Sequence, residues 1–86
     1  MKNTNAREIK VEWCENWIRA QFTKHHAFPN GGGIETNCFW DNAEASGLWK
    51  RGTYGSAMSQ ALENTTKVET VTNANGDFLY NVFRLA

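Results

Sequence analysis

The chain of 86 residues has no surplus of charge, since nine Lys and Arg residues balance nine Asp and Glu residues. Zero net charge counts against a simple electrostatic nucleic-acid binder, which usually carries a basic surplus. It does not exclude a local basic patch, because a patch still acts within a Debye length of about 10 Å. Any nucleic-acid contact is therefore expected to depend on a few cations placed together.

Proline and cysteine are scarce, and no apolar run approaches the length of a membrane span. With one Pro and seven Gly residues, the composition does not indicate disorder. No cationic and apolar signal segment opens the chain, so we expect a cytoplasmic, reducing compartment and no membrane association. Cys14 and Cys38 are both expected on apolar helix faces, where a free thiol is buried and inert.

Signatures of catalysis and of metal binding are also missing. Cys14, Cys38, His25 and His26 are suitable zinc ligands by type, but they lack the close Cys-Cys and His-His spacings of structural zinc sites. The glycines at 31–33 are not followed by the Lys-Ser/Thr pair of a phosphate-binding loop. We therefore expect no enzyme, no cofactor and no metal.

Aromatic residues are plentiful, with four Trp, five Phe and two Tyr. Large rings bury much area per residue, so a short chain can fill one core without disulfides. We predict a single domain over residues 1–86, with residues 1–5 frayed. Trp40, Trp49 and Tyr54 are expected mainly in the core, and an exposed ring among them would mark a protein-binding hot spot.

The clearest helix lies near the start of the chain. Apolar residues from Ile9 to Phe22 recur at helical spacing, which predicts a helix from about Ala6 to about His25 with its N-cap at Asn5. Alternation of apolar residues beginning at Ile9 leaves a short strand there as an alternative.

Two further helices are predicted after the Pro and Gly residues at 29–33, which break the first one. Residues 34–36 are a candidate extended piece. Thr36 or Asn37 then caps a second helix that ends near Gly47. The third helix is expected from Tyr54 to about Asn64, capped by Thr53.

The last third of the chain changes to a period of two, which indicates strands. The Asn75-Gly76 pair between them is the strongest short hairpin signal and predicts a two-residue type I′ turn. This turn would pair Val71 with Tyr80 and Val68 with Phe83. The face expected to pack on the core carries Val68, Leu79, Phe83 and Leu85.

The predicted fold is α+β, with three helices followed by a C-terminal β-hairpin. This order resembles the winged helix-turn-helix family, and Ala43 and Gly47 match the small residue and the glycine of the helix-turn-helix pattern. The pattern's next apolar positions hold Thr53 and Ser56, so the connector is one or two residues longer than the minimal turn. The resemblance implies a winged-helix-like domain whose third helix enters the major groove of double-stranded DNA.

Polar residues of that helix would then contact bases or phosphates, and the cations before it would contact phosphates. The nucleic-acid-binding residues that the resemblance implies are Lys50, Arg51, Thr53, Ser56, Ser59 and Gln60. The wing tip, residues 73–77, departs from the family's basic wing because it carries Asp77 and no cation.

Lys24, His25 and His26 form a second candidate, a phosphate patch that strengthens as the histidines protonate. The simpler role of these three residues is to complement the dipole at the end of the first helix.

Two functions remain in competition. One is a small DNA-binding regulator of transcription, and the other is a phage or mobile-element type of interaction protein that binds and inhibits a host protein. The polar third helix with Lys50 and Arg51 slightly favours the first, whereas neutral charge and the acidic wing favour the second. A homodimer is compatible with both.

Overall fold

The computed structural model describes residues 9–24, 33–53 and 55–86. The elements follow one another as α1 (Val11–Lys24), β1 (Ile34–Glu35), α2 (Thr36–Ser46), α3 (Ala57–Thr65), β2 (Thr66–Thr72) and β3 (Phe78–Leu85). The three strands form one antiparallel sheet in the order β1-β3-β2. The predicted α+β class is therefore confirmed, and β1 is a strand of the sheet in addition to the predicted hairpin. In the described ranges, no helix combines the length and the apolar character needed to cross a membrane.

Helix α1 begins at Val11, so the predicted start at Ala6 is wrong. Ile9 and Lys10 are not helical, and the carbonyl of Lys10 accepts the N–H groups of Trp13 and Cys14 to close the first turn. Ile9 is half-buried against the core, so its place in the apolar pattern does not require a helical backbone. The predicted cap at Asn5 and end at His25 lie outside the described residues.

Helix α2 begins one residue after Glu35, which is its N-cap in place of the predicted Thr36 or Asn37. The carboxylate of Glu35 accepts the backbone N–H of Asn37 at 2.9 Å. Ile34 pairs with Phe83 of β3, so the residues before α2 belong to the sheet. The chain therefore passes directly from strand into helix. The predicted end is confirmed, since Gly47 lies in the left-handed region at φ 83° and donates its N–H to the carbonyl of Glu44.

Helix α3 begins at Ala57, so the predicted cap at Thr53 and start at residue 54 are wrong. The cap is Ser56, whose hydroxyl accepts the N–H of Ser59 at 3.2 Å. Gly55 has φ +64°, a left-handed conformation that cannot belong to a right-handed helix. The connector between α2 and α3 is therefore longer than the sequence pattern predicts.

The predicted pairs Val71–Tyr80 and Val68–Phe83 of the hairpin are confirmed. The predicted two-residue turn is wrong. Gly76 donates its N–H to the carbonyl of Asn73, and Asn73 donates to the carbonyl of Asp77, both at 3.0 Å, so three residues form the loop.

The side chain of Asn73 explains this longer turn. Its carbonyl oxygen accepts the N–H groups of Asn75 at 2.9 Å and Asp77 at 3.0 Å, which organises the loop from inside. A register shift between Val71 and Thr72 accommodates the extra loop residue.

The core lies between the helices and one face of the sheet, and Phe39 is at its centre. The ring of Phe39 is 1% exposed and meets Trp17, Trp40 and Phe83 edge-on, with centroid distances of 5.6, 5.3 and 5.1 Å. Such contacts add about 0.5–1.5 kcal/mol each to the burial of the rings. The core residues are Cys14, Ile18, Phe22, Ile34, Phe39, Ala43, Met58, Ala61, Leu62 and Phe83.

The prediction of the core face of the hairpin is correct only for Phe83. Val68, Leu79 and Leu85 are 58%, 49% and 44% exposed, because the helices cover Phe83 and leave these three side chains in solvent. On the other face Val82 is fully buried beside Gly33, where an added Cβ would lie 3.0 Å from a Val82 methyl group. The predicted pairing of the strands is therefore right, but the alternating pattern does not show which side chains are covered.

Candidate functional site

The loop between α2 and α3 and the first turns of both helices form a groove of about 450 Å³. It is lined by Asn37, Trp40, Asp41, Trp49, Arg51, Thr53, Gly55 and Ser59, and is called the tryptophan groove below. A smaller depression of about 210 Å³ shares two of these residues and is lined by Gly55, Ser56, Ser59, Gln60 and Glu63. The residues expected to bind DNA are thus divided. Arg51, Thr53 and Ser59 line the groove, Ser56 and Gln60 line the depression, and Lys50 lines neither.

Arg51 is held in place by two carboxylates and an aromatic ring. Its Nη2 lies 2.9 Å from Asp41 Oδ1 and 2.8 Å from Glu44 Oε1, and its Nε donates to the same Glu44 oxygen at 3.1 Å. The guanidinium also lies 5.7 Å from the centre of the Trp49 ring. Hydrogen bonds to Glu44 and then Asp41 raise the pKa of Arg51. Two carboxylates against one guanidinium leave a negative local charge, which opposes contact with phosphate.

Lys50 differs from its neighbour. Its side chain is exposed and forms no ion pair or hydrogen bond with a described residue, while its backbone carbonyl accepts the N–H of Thr53 at 3.1 Å. Its charge is therefore available to an external anion, unlike that of Arg51.

The polar residues at the start of α3 are occupied by contacts within the protein. The half-buried hydroxyls of Ser56 and Ser59 lie 3.3 Å apart, and Ser56 caps the helix. Gln60 donates to Asn64 at 3.0 Å, and Asn64 donates to Glu15 of α1 at 2.9 Å. These bonds join α3 to α1, so an external partner of the amide groups must compete with them.

The surface of α3 carries no cation. Its sequence, AMSQALENT, contains one charged residue, the exposed Glu63. A helix with this composition meets the phosphates of a duplex with repulsion rather than attraction. The hairpin tip adds Asp77 and an exposed Phe78, so it also lacks the basic character of a minor-groove reader.

Two tryptophans form the apolar wall of the tryptophan groove. The rings of Trp40 and Trp49 lie 4.6 Å apart at 46°, and Trp40 also packs edge-on against Phe39 of the core. Both tryptophans are half-buried, so the expectation of core residues holds only in part, and Tyr54 lies outside the described residues. The indole Nε1–H of Trp49 is buried and has no hydrogen-bond partner among the residues that the structure describes.

An orphaned donor of this kind costs about 1–3 kcal/mol, because it loses its hydrogen bond to water without a replacement. Such a cost is recovered when a ligand supplies an acceptor. Sequence reasoning placed Trp40 and Trp49 in the core and did not include Asn37 or Asp41 in the site. The closeness of Trp49 to Arg51 in the sequence was the signal that could have indicated a mixed aromatic and cationic surface.

The second candidate patch is only partly described. Lys24 is exposed at the end of α1, and His25 and His26 lie outside the described residues. In the described part of the chain, no group of three or more His, Cys, Asp or Glu residues could hold a metal ion.

The two thiols are free and have different surroundings. Cys14 is fully buried, and burial raises its pKa. The expectation that Cys38 is also buried is wrong, because Phe39 and Ala43 define the inner face of α2 and Cys38 lies to one side of it. Its thiol lies 3.7 Å from a Glu35 oxygen, and partial burial followed by this carboxylate raises the pKa of Cys38.

Comparison with protein-family models, curated proteins and solved structures finds no match to this chain. Its function therefore has to be inferred from the chemistry of the tryptophan groove and of the surfaces around it.

Proposed function

We propose that the chain is a winged-helix interaction domain that binds another protein through the tryptophan groove. The observation that carries this proposal is the state of Arg51, which two carboxylates hold beside the Trp49 ring at the edge of the groove. Three helices before a hairpin support the winged-helix assignment. So do the buried Ala43 and the left-handed Gly47, which occupy the packing and turn positions of the helix-turn-helix pattern.

Charge favours a protein over a nucleic acid as the partner. A phosphate approaching Arg51 would have to displace Asp41 or Glu44 and would be repelled by the carboxylate that remains. Along α3 it would meet Glu63 and no cation. A duplex binder gains most of its affinity from cations on phosphates. Among the described residues of the connector and α3, only Lys50 is a cation that no carboxylate pairs.

The lining of the groove fits a peptide segment. Trp and Arg are among the side chains that dominate binding energy at protein interfaces. A volume of about 450 Å³ accommodates one or two side chains of a partner. Asn37, Thr53 and Ser59 supply polar groups around the two rings. We expect the buried Trp49 N–H, which has no acceptor among the described residues, to donate to a backbone carbonyl of the partner when the ring shifts on binding. The expected ligand is an extended segment with an apolar or aromatic side chain beside that carbonyl.

A pair of matched variants tests this proposal. Asn37 and Asn42 are both exposed residues of α2, but only Asn37 lines the groove. Asn37→Arg places a long side chain in the groove, and Asn42→Arg makes the same change of charge outside it. Peptides selected from a random displayed library on the wild-type chain should bind Asn42→Arg equally well and Asn37→Arg at least tenfold more weakly. Equal binding by the two variants would contradict the proposal.

A DNA-binding regulator is the second candidate. Lys50 favours it, because this exposed cation of the connector before α3 has no ion-pair partner among the described residues. In that case Lys50→Ala and Arg51→Ala should each weaken binding to every sequence and make the salt dependence shallower by about one unit. Gln60→Ala should relax the preference at one base pair by about 1–3 kcal/mol. Under the protein-binding proposal, the wild type binds random duplexes no better than about 10⁻⁴ M at physiological salt, the weak limit of non-specific binding. A gel-shift titration with the three variants distinguishes these outcomes.

A further inference from the structure

Strand β2 has an open edge. In the order β1-β3-β2 it is the terminal strand, and none of the described strands pairs with its outer side. Its seven residues, TKVETVT, are mostly β-branched, a composition that favours extended pairing. An edge with unpaired N–H and C=O groups is a template for a further strand unless charge or shape prevents it.

The charges on β2 do not prevent pairing with an identical strand. The two charged residues, Lys67 and Glu69, have opposite sign and lie on either side of Val68. In an antiparallel pair of identical strands centred on Val68, Lys67 lies opposite Glu69 of the other copy, and Glu69 lies opposite Lys67. Opposite charges directly across a ladder stabilise it, whereas like charges destabilise it.

Hydrogen-bond geometry restricts the possible registers. Residues opposite each other in an antiparallel ladder must both direct their N–H and C=O groups to the shared edge or both direct them away. A two-fold axis between identical strands therefore passes through a residue. An axis at Lys67 or at Glu69 would put like charges opposite each other, and an axis at Thr70 would leave both charges without a charged partner. Among these positions only Val68 gives two ion pairs.

Val68 is free to make these contacts, and its two charged neighbours can make them by exchanging a pair within the chain. Val68 is 58% exposed, so it can pack against its counterpart at the axis. Leu85 is 44% exposed and pairs with Thr66, which adds apolar surface next to the seam. Glu69 uses Oε1 for Arg84, and its Oε2 lies 3.8 Å from Lys67 of the same chain in a loose pair that can be exchanged.

We propose that two copies of this chain associate through the outer edge of β2, antiparallel and centred on Val68, so that two three-stranded sheets form one continuous sheet. This surface is separate from the tryptophan groove, because no residue of β2 lines the groove. The dimer and the peptide site are therefore independent, and each proposal can fail without the other.

Exchange of charges tests the proposed register. In a homodimer, Lys67→Glu puts two carboxylates opposite each other across the seam, and Glu69→Lys puts two ammonium groups there, so each variant alone should be monomeric. An equal mixture of the two variants restores both ion pairs and should dimerise.

Sedimentation equilibrium of the full chain measures this association directly. We expect about twice the 9.8 kDa chain mass for the wild type and for the mixture, and the single-chain mass for each variant alone. Arg19→Glu, an exposed change on α1, is the control and should remain dimeric.

Two further variants keep the test informative if Glu69→Lys weakens the fold by losing Arg84. Val68→Lys changes an exposed side chain and puts like charges at the axis, so it should be monomeric. Val68→Cys in a Cys38→Ser background should form an intermolecular disulfide under mild oxidation, because residues opposite each other in a ladder have Cα atoms about 4.5–5.5 Å apart. A wild type that remains at single-chain mass up to millimolar concentration would overturn the proposal. So would a dimer that neither charge change nor Val68→Lys affects.

Discussion

The helical part of the molecule and the hairpin differ in what they bury and what they expose. In the helical part, large rings are covered or half-covered, and the cation nearest to them, Arg51, is already paired with two carboxylates. In the hairpin, Phe83 and Val82 are buried while Phe78 is 63% exposed and Val68 58% exposed. A protein of this size has one core, and it lies under the helices. Strand pairing and the turn also hold the hairpin, and its exposed side chains, such as Val68 and Phe78, remain available for contacts with other molecules.

The largest expected effect separates the two regions through a matched pair of substitutions. Phe39→Ala should lower the free energy of unfolding by about 3–5 kcal/mol, because it leaves a cavity where three aromatic rings meet. Phe78→Ala removes the same side chain from an exposed position of β3 and should change stability by less than about 0.5 kcal/mol. Urea unfolding followed by tryptophan fluorescence measures both. Similar losses for the two variants would mean that Phe78 is packed as tightly as Phe39.

The hairpin turn should be the next most sensitive point. Gly76 has φ 86° and closes the three-residue loop through its N–H bond to Asn73. Gly76→Val should cost about 1–3 kcal/mol, because a β-branched residue is strained at positive φ. Ala74→Val, in the same loop, is the control. A thermal melt in which Gly76→Val matches the wild type would contradict the turn described above.

A smaller effect tests where α3 begins. Ser56→Ala removes the cap of the helix and should cost about 1 kcal/mol. Thr53→Ala changes the residue that the sequence pattern suggests as the cap and should cost less than about 0.5 kcal/mol. Chemical denaturation of the two variants decides between the positions. A larger loss of stability for Thr53→Ala than for Ser56→Ala would mean that α3 begins earlier, at the residue after Thr53.

The smallest expected effect is a dependence of stability on alkaline pH. Burial raises the pKa of Cys14, so the folded chain keeps this proton when the unfolded chain has begun to lose it near pH 9.0. The contribution to stability is therefore complete below the pKa of the unfolded thiol and is lost as pH rises through the pKa of the folded one. Wild type should lose stability as pH rises through and above 9.0 more steeply than Cys14→Ala. The free energy of unfolding is measured in urea at several pH values. An equal dependence on pH in the two chains would show that ionisation of Cys14 does not contribute to stability.

The sequence patterns predicted the elements better than their boundaries. Spacing of apolar residues identifies three helices and a hairpin, and the left-handed Gly47 ends α2 where expected. Caps were harder to place, because several polar residues precede each helix. The strand pairing of Ile34 and Glu35 makes Glu35 the cap of α2. The left-handed Gly55 cannot be helical, so Ser56 is the cap of α3. These are tertiary and backbone constraints that a local pattern does not contain.

The candidate site was less predictable than the fold. Lys50 and Arg51 are adjacent cations in the sequence, but Asp41 and Glu44 of α2 neutralise only Arg51. Ser56, Ser59 and Gln60 have the polar pattern of an outward helix face. Ser56 and Ser59 are nevertheless occupied at the cap, and Gln60 donates to Asn64, which in turn donates to Glu15 of α1. Which polar groups are already satisfied depends on contacts between distant segments, and single-sequence reasoning cannot supply these.

The most direct test of the account follows the indole N–H of Trp49 by NMR. This proton is buried and has no acceptor in the described part of the free chain, and its ¹⁵N–¹H signal is separate from those of the backbone. Addition of a peptide selected on the wild-type chain should move this signal downfield as the N–H gains a carbonyl acceptor, and a random DNA duplex at the same concentration should leave it in place. An unchanged Trp49 signal at saturating peptide, or a shift produced by the duplex instead, would contradict protein binding at the tryptophan groove.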